Sequence, residues 1–364
     1  MRFAVLAFFA LCAALAARLA IAGYRFDRDS AAAVERAADA VACGEYAERL
    51  AEIDPERARG ALERAIRWNP RSSSARIALG LEEERAGDFD SAVRELLRAA
   101  EIDHQYLPAW TLANFYFRRG DREAFQVWAR RAAELVPGDM EPLIELCDRI
   151  DVGNGLAALP EVSKFERGYL DFLIREKRLD DAGRVARRLA LRRDGEDVRR
   201  VSAFITRLID AGRDADAIAL WRQLVPGEGL VNGDLRTAPT GEGLDWRIRM
   251  DDGVTANWRP GVLSFQLSGR EPGSCVLLEQ PAPVEPGRYR LRFEYQAEAG
   301  GVRWMLDGEE SPALTASNGW AAAERGFSAS RGGLGWLRLI YRRETGSVKA
   351  EGTIQIRSLR WDKN

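Results

Sequence analysis

Apolar residues recur at helical spacing in the first part of the chain and alternate with polar residues in the last part. Two consecutive segments between Ser73 and Pro137, RIALGLEEERAGDFDSAVRELLRAAEIDH and AWTLANFYFRRGDREAFQVWARRAAELVP, each have the apolar spacing of two amphipathic helices. Gly87-Asp88 in the first segment recurs as Gly120-Asp121, 33 residues later. A period of this length predicts stacked helical hairpins, because one hairpin cannot bury its apolar face alone and shares a core with its neighbours.

The helical pattern runs from residue 30 to 226, and its clearest repeats lie at 73–137. Upstream, DPERARGALERAIRWNP places small and apolar residues 34 positions before their counterparts in the next unit: Ala58, Leu62 and Ala65 precede Ala92, Leu96 and Ala99. Downstream, after a loop-rich segment at Asp151–Ser163, the spacing continues less regularly in FERGYLDFLIREKRLDDAGRVARRLA and VSAFITRLIDAGRDADAIALWRQLVP. We therefore expect an array of five hairpins.

These units resemble the tetratricopeptide repeat (TPR), a family of 34-residue helical hairpins with a W-x2-L-G-x2-Y, A-x3-F and late Pro pattern. The matching residues are Leu79, Gly80, Ala92, Leu96 and Ala99 in one repeat and Leu112, Ala113, Tyr116, Ala129, Ala132 and Pro137 in the next. Arg76 and Glu83 stand where the family has Trp and Tyr, and Phe125 stands where it has a small residue. The resemblance covers about half of the chain and implies a TPR-like α-helical solenoid.

An array of this kind presents a concave groove to a peptide or partner helix. The candidate groove residues lie on the first helices of the hairpins: Arg76, Glu83, Asn114, Phe117 and Arg118. For each of them the alternative is a position on a solvated helix face. The array therefore predicts a protein partner without identifying it.

From residue 228 to 364 the pattern has a period of two, which indicates half-buried strands. The clearest run alternates Tyr289, Leu291, Phe293, Tyr295 and Ala297 with polar residues. Similar runs lie at residues 263–267, 302–306, 337–341 and 354–356, and Gly, Pro, Asn and Asp clusters separate them. About eight short strands predict an all-β antiparallel sandwich of two sheets.

This region resembles the jelly-roll carbohydrate-binding modules. LVNGDLRT (230–237) is similar to their opening strand, GLDWRI (243–248) to their second aromatic-bearing segment, and GTIQIRSLRW (352–361) to a closing strand beside the first. Asp234 is followed by Leu235 and Arg236 where the family has aromatic and acidic residues, and we expect no metal site.

Glycan binding requires exposed aromatic rings, because the apolar face of a sugar ring stacks on them. We assign Trp246, Trp304 and Trp361 to the core. The candidate stacking residues are Trp258, Trp320 and Trp336, with Arg338 on the face of Trp336. For these residues too, packing is the alternative role.

The N-terminal residues 3–22 form a run of 20 residues in which Arg18 is the only charge. This is long enough to cross a bilayer as a helix. We predict a single-pass membrane anchor within residues 1–24, with the remainder of the chain on the periplasmic or extracytoplasmic side. A cleaved signal peptide, with small residues at 14–16 or 20–22, is the alternative and leads to export.

Composition and motifs exclude several classes of activity. With 54 basic and 56 acidic residues, the net charge of −2 offers no basic excess for nucleic acid. The four cysteines form no CxxC pair, His104 is the single histidine, and HExxH, Walker and GxGxxG motifs are absent from the sequence. We therefore predict no catalytic residue, metal or cofactor.

The resulting hypothesis is a non-enzymatic, membrane-associated adaptor. Its helical array would bind a protein partner and its sandwich a glycan, in the production or export of a cell-envelope polysaccharide. One alternative is a protein-interaction scaffold with no glycan role. The other is a carbohydrate-active enzyme that uses two facing carboxylates, which the 56 acidic residues leave open.

Overall fold

In the computed structural model, helices are followed by strands. It describes residues 12–14, 16–17, 54–151, 159–225, 227, 229–344, 346 and 350–364. The helices of this part are α1 (Pro55–Trp68), α2 (Ser73–Arg85), α3 (Phe89–Ile102), α4 (Tyr106–Arg119), α5 (Arg122–Leu135), α6 (Glu141–Asp151), α7 (Ser163–Arg175), α8 (Leu179–Arg192), α9 (Gly195–Asp210) and α10 (Asp214–Leu224). The chain divides into two compact units, Met1–Phe172 and Leu173–Asn364. The predicted change from array to sandwich near residue 227 lies within the second unit.

The helices of the first unit recur with the period seen in the sequence. Helices α2 and α4 begin 33 residues apart, at residues 73 and 106, and α3 and α5 begin 33 residues apart, at residues 89 and 122. The same small and apolar positions are buried in three second helices: Ala58, Leu62 and Ala65 in α1, Ala92, Leu96 and Ala99 in α3, and Phe125, Ala129 and Ala132 in α5. Helical repeats are thus present in this unit.

The recurring Gly-Asp pair forms the turn inside each hairpin. Gly87 and Gly120 have φ angles of +83° and +71°, a left-handed conformation that glycine adopts without the strain of a Cβ atom. The following residues cap the next helix: the Asp88 carboxylate accepts a hydrogen bond from Ser91 N, and that of Asp121 accepts one from Ala124 N. In each pair the glycine follows the end of the hairpin's first helix, and the aspartate caps the N-terminus of its second helix.

The predicted membrane anchor, within residues 1–24, lies almost entirely outside the described residues. The first helix of the first predicted hairpin, which would precede α1, also lies outside them. Within the part of the chain that the structure covers, no helix combines the length and apolar character needed to cross a bilayer. Most of the loop-rich segment between α6 and α7 is also outside the description.

The strands of the second unit form two five-stranded antiparallel sheets. The strands are β1 (Arg247–Ile248), β2 (Val254–Arg259), β3 (Val262–Ser268), β4 (Ser274–Val284), β5 (Gly287–Ala297), β6 (Val302–Leu306), β7 (Glu309–Glu310), β8 (Ala321–Ala329), β9 (Gly333–Arg342) and β10 (Glu351–Lys363). Sheet A has the order β1-β4-β9-β6-β7 and sheet B the order β2-β3-β10-β5-β8.

The pairing of these strands is that of a jelly roll. The pairs β3 with β10, β4 with β9, β5 with β8, and β6 with β7 are antiparallel and alternate between the two sheets. They describe one long two-stranded ribbon, closed at the β6–β7 turn and rolled into a sandwich. The predicted core tryptophans are confirmed, since Trp246 and Trp304 are fully buried and Trp361 nearly so.

The predicted opening strand is not a strand. Residues 231–234 form turns, and Asn232 and Leu235 have φ angles of +50° and +54°, which a strand does not accommodate. The segment nevertheless lies beside the closing strand, because Leu359 N donates a 2.8 Å hydrogen bond to Gly233 O. The resemblance therefore located the segment correctly in space and assigned it the wrong backbone conformation.

Two glycines provide a matched test of hairpin packing. A Cβ atom on Gly80 of α2 would lie 2.9 Å from the Leu96 side chain and 3.0 Å from Ala92 O of α3, whereas one on Gly60 of α1 would meet nothing within 4 Å. We expect Gly80→Ala to lower the free energy of unfolding by about 1–3 kcal/mol through overpacking. Gly60→Ala should raise it by about 0.5–1 kcal/mol, because alanine is the better helix former.

Urea unfolding followed by circular dichroism at the helix band measures both changes. Equal effects of the two substitutions would contradict the close approach of α2 and α3 at Gly80.

Candidate functional site

The outer face of strand β9 presents an aromatic ring. Leu337, Leu339 and Tyr341 point into the sandwich core and are fully buried. The alternation of a strand sends Trp336 and Arg338 to the opposite face of sheet A, where both are half-buried. Trp336 is thus a large apolar side chain on an outer sheet face.

The β6–β7 turn fixes the backbone of Trp336. This turn is an Asp-Gly pair in which Asp307 and Gly308 have φ angles of +47° and +96°, as tight hairpin turns require. The Asp307 carboxylate accepts a 2.8 Å hydrogen bond from Trp336 N, and Asp307 N donates to Trp336 O at 3.3 Å. The backbone that carries the ring is therefore hydrogen-bonded to the β6–β7 turn.

One cross-strand row beside Trp336 carries three charged residues. The strand registers place Arg247 of β1 opposite Glu279 of β4, and Glu279 opposite Arg338 of β9. Arg249, just after β1, joins the row through its side chain. We call Trp336, Arg247, Arg249, Glu279 and Arg338 the Trp336 platform.

The Glu279 carboxylate links three strands of this platform. Arg249 donates to Oε1 from Nε at 2.9 Å and from a terminal nitrogen at 2.5 Å, and Arg338 Nε donates to Oε2 at 2.9 Å. Burial alone would raise the pKa of Glu279, which is only 5% exposed, but the hydrogen bonds from the two guanidinium groups outweigh it. The pKa of Glu279 therefore lies below its ordinary value.

Two guanidinium groups approach the indole ring. The Cζ atom of Arg247 lies 5.0 Å from the centroid of the Trp336 ring, and that of Arg338 lies 5.4 Å from it. Both distances are within cation–π range. Two positively charged groups, one from β1 and one from β9, therefore lie near the indole ring.

A buried aspartate holds the loop that leads to Arg247. The Asp245 carboxylate accepts hydrogen bonds from Thr240 N at 2.9 Å, from Thr240 Oγ1 at 2.8 Å and from Trp246 N at 2.7 Å. A cleft with a volume of about 270 Å³ opens beside this loop, lined by Pro239, Thr240, Gly241, Arg247, Ile248 and Arg249. Arg247 therefore faces both the cleft and the indole ring.

Helices α9 and α10 border the same region of the second unit. Gly243 N donates a 2.8 Å hydrogen bond to Thr206 Oγ1 of α9. The Trp221 ring of α10 lies so close to Gly243 that a Cβ atom there would be 2.4 Å from it. The loop before β1 is thus fixed from the helical side as well as by Asp245.

The structure does not bring the three predicted stacking residues together. Trp258 lies in β2, its side chain packs against the sandwich core, and its indole nitrogen donates a 2.8 Å hydrogen bond to Leu235 O. It shares the inward face of β2 with Val254 and Ala256, so its role is packing and not stacking at a loop edge. This corrects the expectation for Trp258.

Trp320 is 37% exposed and precedes β8, at the opposite edge of sheet B from β2. The Arg357 guanidinium carbon lies 4.0 Å from its ring centroid, and Arg357 Nε donates to Glu294 at 2.7 Å. An arginine already bound to a carboxylate thus lies against the Trp320 ring, at a shorter distance than Arg247 and Arg338 lie from the Trp336 ring. Of the predicted glycan-site residues, only Trp336 and Arg338 lie side by side.

Two predicted groove arginines are engaged in ion pairs between helices. Arg76 donates to Glu95 of α3 at 2.6 Å and to Pro70 O at 3.3 and 3.2 Å. Arg118 makes a bidentate pair with Glu84 of α2, at 2.7 and 2.6 Å, across one repeat. Arg76 is largely buried by its contacts, whereas the Arg118 side chain remains 45% exposed.

Glu83 is a buried carboxylate and not a groove surface. It is 5% exposed, and Arg59 of α1 donates to its Oε1 at 3.3 Å. Burial raises the pKa of Glu83, and the Arg59 charge opposes that rise in part. The family pattern has Tyr at this position, and the glutamate here packs with the preceding helix.

The remaining groove candidates are half-buried. Asn114 Nδ2 donates a 2.9 Å hydrogen bond to Trp110 O of its own helix. The Phe117 ring lies 6.2 Å from that of Phe125 in α5, which occupies the position of a small residue in the repeat pattern. Phe117 therefore lies near an aromatic ring, whereas its neighbour Arg118 forms an ion pair with Glu84.

The sequence alone did not point to Arg247, Arg249 or Glu279. Arg247 and Arg249 alternate with the apolar residues Trp246, Ile248 and Met250, and Glu279 sits inside an apolar run, LLEQP. Their association depends on the pairing of β1, β4 and β9, which are far apart in the chain. Within the described residues, no group of three or more His, Cys, Asp or Glu side chains is arranged to hold a metal ion.

Comparison with known proteins yields structural similarity only. No protein-family model and no curated protein matches the chain. The TmCBM61 structure with beta-1,4-galactotriose matches at 18% identity over 38% of this chain and 100% of its own, with a TM-score of 0.27. BiXyn10A CBM1 in its apo form matches at 18% identity over 36% and 95%, with a TM-score of 0.25.

The enzymatically active domain of bacteriophage CBA120 tailspike protein 4 matches at 10% identity over 37% of this chain, with a TM-score of 0.27. This chain spans 21% of that protein's length. Because all three TM-scores are below 0.5, the jelly-roll assignment rests on the strand pairing described above.

The position of Glu279 predicts a pH-dependent stability. A carboxylate whose folded pKa is depressed stabilises the fold fully above its unfolded pKa, about 4.3, and the stabilisation disappears as pH falls through the folded pKa. We expect Glu279→Gln to lower the free energy of unfolding by about 1–3 kcal/mol at pH 7. The difference from the wild type should shrink steadily as the pH falls below about 4.

Urea unfolding from pH 3 to 7 measures this difference. Glu324→Gln removes a surface pair with Arg290 in which the glutamate is 50% exposed, and it should cost less than about 1 kcal/mol throughout. A Glu279→Gln effect that is independent of pH would show that the ionised form of Glu279 is not stabilised.

Proposed function

We propose that the Trp336 platform binds a glycan. The observation that carries the proposal is the half-buried Trp336 ring on an outer sheet face, held by Asp307 and flanked by Arg247 and Arg338 beside a cleft of about 270 Å³. Aromatic surface combined with a few placed polar groups is the usual composition of a small-ligand site.

The chemistry of the platform suits a sugar ring. The indole offers an apolar surface on which the C–H face of a pyranose can stack, while guanidinium nitrogens can donate to hydroxyl oxygens. The ring is carried by a hydrogen-bonded sheet, so little conformational freedom is lost when a ligand binds. Two of the structurally similar proteins are named as carbohydrate-binding modules or as bound to a galactotriose, but the proposal rests on the side chains of this chain.

We further propose that the chain acts as a non-enzymatic adaptor. The 33-residue helical period and the TPR-like residues support a protein-binding role for the array, and Arg118 on α4 remains partly exposed for it. The apolar residues 3–22 support attachment to a membrane, or export, with the rest of the chain on the extracytoplasmic side. Together these roles suit the production or export of an envelope polysaccharide.

Glycan binding is tested by substitution of the stacking ring. On an array of neutral and acidic glycans, we expect the full chain to bind and Trp336→Ala to lose about tenfold or more in affinity, as for a central aromatic anchor. Trp320→Ala is the matched control, since it removes a partly exposed ring from the other sheet, and it should leave affinity unchanged.

Equal binding by Trp336→Ala and the wild type would exclude the platform as the site. Absence of binding to every glycan would favour the alternative of a protein-interaction scaffold. Thermal unfolding of each variant confirms that the sandwich remains folded.

The adaptor role is tested by capture of partners from solubilised membranes with the tagged full chain. We expect an envelope protein to be recovered by the wild type and lost when Asn114 and Arg118 of α4 are both changed to alanine. Arg98→Ala is the control, because Arg98 is 61% exposed on the second helix α3. Recovery of the same proteins by the wild type, the double variant and Arg98→Ala would show that Asn114 and Arg118 do not bind the partner.

A further inference from the structure

The ion pairs of the Trp336 platform leave one arginine without a carboxylate. Both oxygens of Glu279 are already occupied, Oε1 by Arg249 and Oε2 by Arg338. Among the described residues, Arg249 and Arg338 form ion pairs with Glu279, whereas Arg247 forms none. Arg249 and Arg338 therefore occupy the single carboxylate of the platform, and Arg247 has no carboxylate partner there.

Arg247 also makes few hydrogen bonds to neutral groups. One terminal nitrogen donates to Gly243 O at 3.5 Å, the upper limit of a hydrogen bond, and the sheltered Nε finds no partner in the described part of the chain. Burial lowers the pKa of the Arg247 guanidinium, while the more distant Glu279 and Asp210 charges oppose this. A half-buried charge of this kind is unfavourable unless an opposite charge reaches it.

The position of Arg247 indicates that a ligand bound on Trp336 would supply the opposite charge. Its guanidinium lies 5.0 Å from the Trp336 ring centroid, and the same side chain lines the adjoining cleft. A sugar stacked on Trp336 would place a ring substituent near this guanidinium. A planar carboxylate matches the guanidinium fork and can accept two parallel hydrogen bonds from it.

The positive charge of the platform is local. The chain as a whole carries a net charge of −2, so it has no general attraction for polyanions. The platform combines three arginines with one glutamate beside an aromatic ring, and the neighbouring carboxylates of Asp307 and Asp245 are bound to backbone N–H groups and to Thr240.

We infer that the glycan bound at Trp336 is acidic and that Arg247 selects it by binding a uronate carboxylate. This inference rests on the proposed glycan-binding function and adds the chemical class of the ligand and the residue that recognises it.

The test compares one polymer in two charge states. The full chain is run in native gels that contain either polygalacturonate or its methyl ester, at about 0.15 M salt, where charges more than about 8 Å apart are screened. We expect retardation by the acid and at least tenfold weaker retardation by the ester. Arg247→Gln should weaken binding to the acid about tenfold, as expected for the loss of one charge-assisted contact.

Two further variants distinguish specific recognition by Arg247 from a general effect of net charge and from misfolding. Arg236→Gln removes the same charge from a side chain that is 82% exposed and paired with Asp234, and it should bind like the wild type. Arg247→Lys keeps the charge but lacks the planar fork, so it should bind the acid more weakly than the wild type. Because it keeps a cation at this position, it also serves if Arg247→Gln does not fold.

The outcomes distinguish this inference from the proposal on which it rests. If polygalacturonate and its methyl ester retard the chain equally and Trp336→Ala abolishes both effects, selection of a uronate is overturned, whereas glycan binding at Trp336 stands. Equal weakening by Arg236→Gln and Arg247→Gln shows attraction by net charge alone and overturns the role of Arg247. Tighter binding to dextran sulfate than to polygalacturonate overturns the carboxylate assignment, and no binding to any glycan removes the proposed function itself.

Discussion

The buried Glu279 carboxylate connects the strands on which the candidate site is built. Removing a carboxylate from water is unfavourable, and here the hydrogen bonds from Arg249 and Arg338 more than offset that cost. Because these arginines belong to the β1 and β9 sides of β4, the ion pairs hold the row beside Trp336 in register. The same ion pairs occupy Glu279 fully and leave Arg247 as the unpaired charge next to the ring.

The jelly roll supplies the hydrogen-bonded sheet surface on which this arrangement lies. Rolling one long ribbon brings β4 and β9 together although their residues are about 60 positions apart, as Glu279 and Arg338 are. The short β6–β7 turn then fixes the Trp336 backbone through Asp307. In the first unit the governing constraint is different: small side chains such as Ala92 and Ala99 let neighbouring helices approach closely, and the 33-residue period follows from repeating that contact.

Much of the fold could be predicted because its signals are local. Helical spacing, the Gly-Asp turns and the two-residue alternation each depend on residues a few positions apart, and the structure has helices and strands where they indicated. The opening strand at 230–237 was predicted from a resemblance and forms turns instead. Sites were harder to predict, since Trp258 and Trp336 look alike in sequence, whereas only the pairing of β2 with β3 shows that Trp258 faces the core.

The sequence by itself determined the two kinds of architecture, the repeat length, the core tryptophans and the apolar N-terminal segment, because all of these are periodicities or composition along the chain. Only the tertiary structure decided which aromatic ring faces outward beside charged groups, and that Arg76, Glu83 and Arg118 form ion pairs between helices. It also decided that Arg247, Glu279 and Arg338 share one row. The physical reason is that strand register and helix contact join residues distant in sequence, and charge pairing depends on the distances so created.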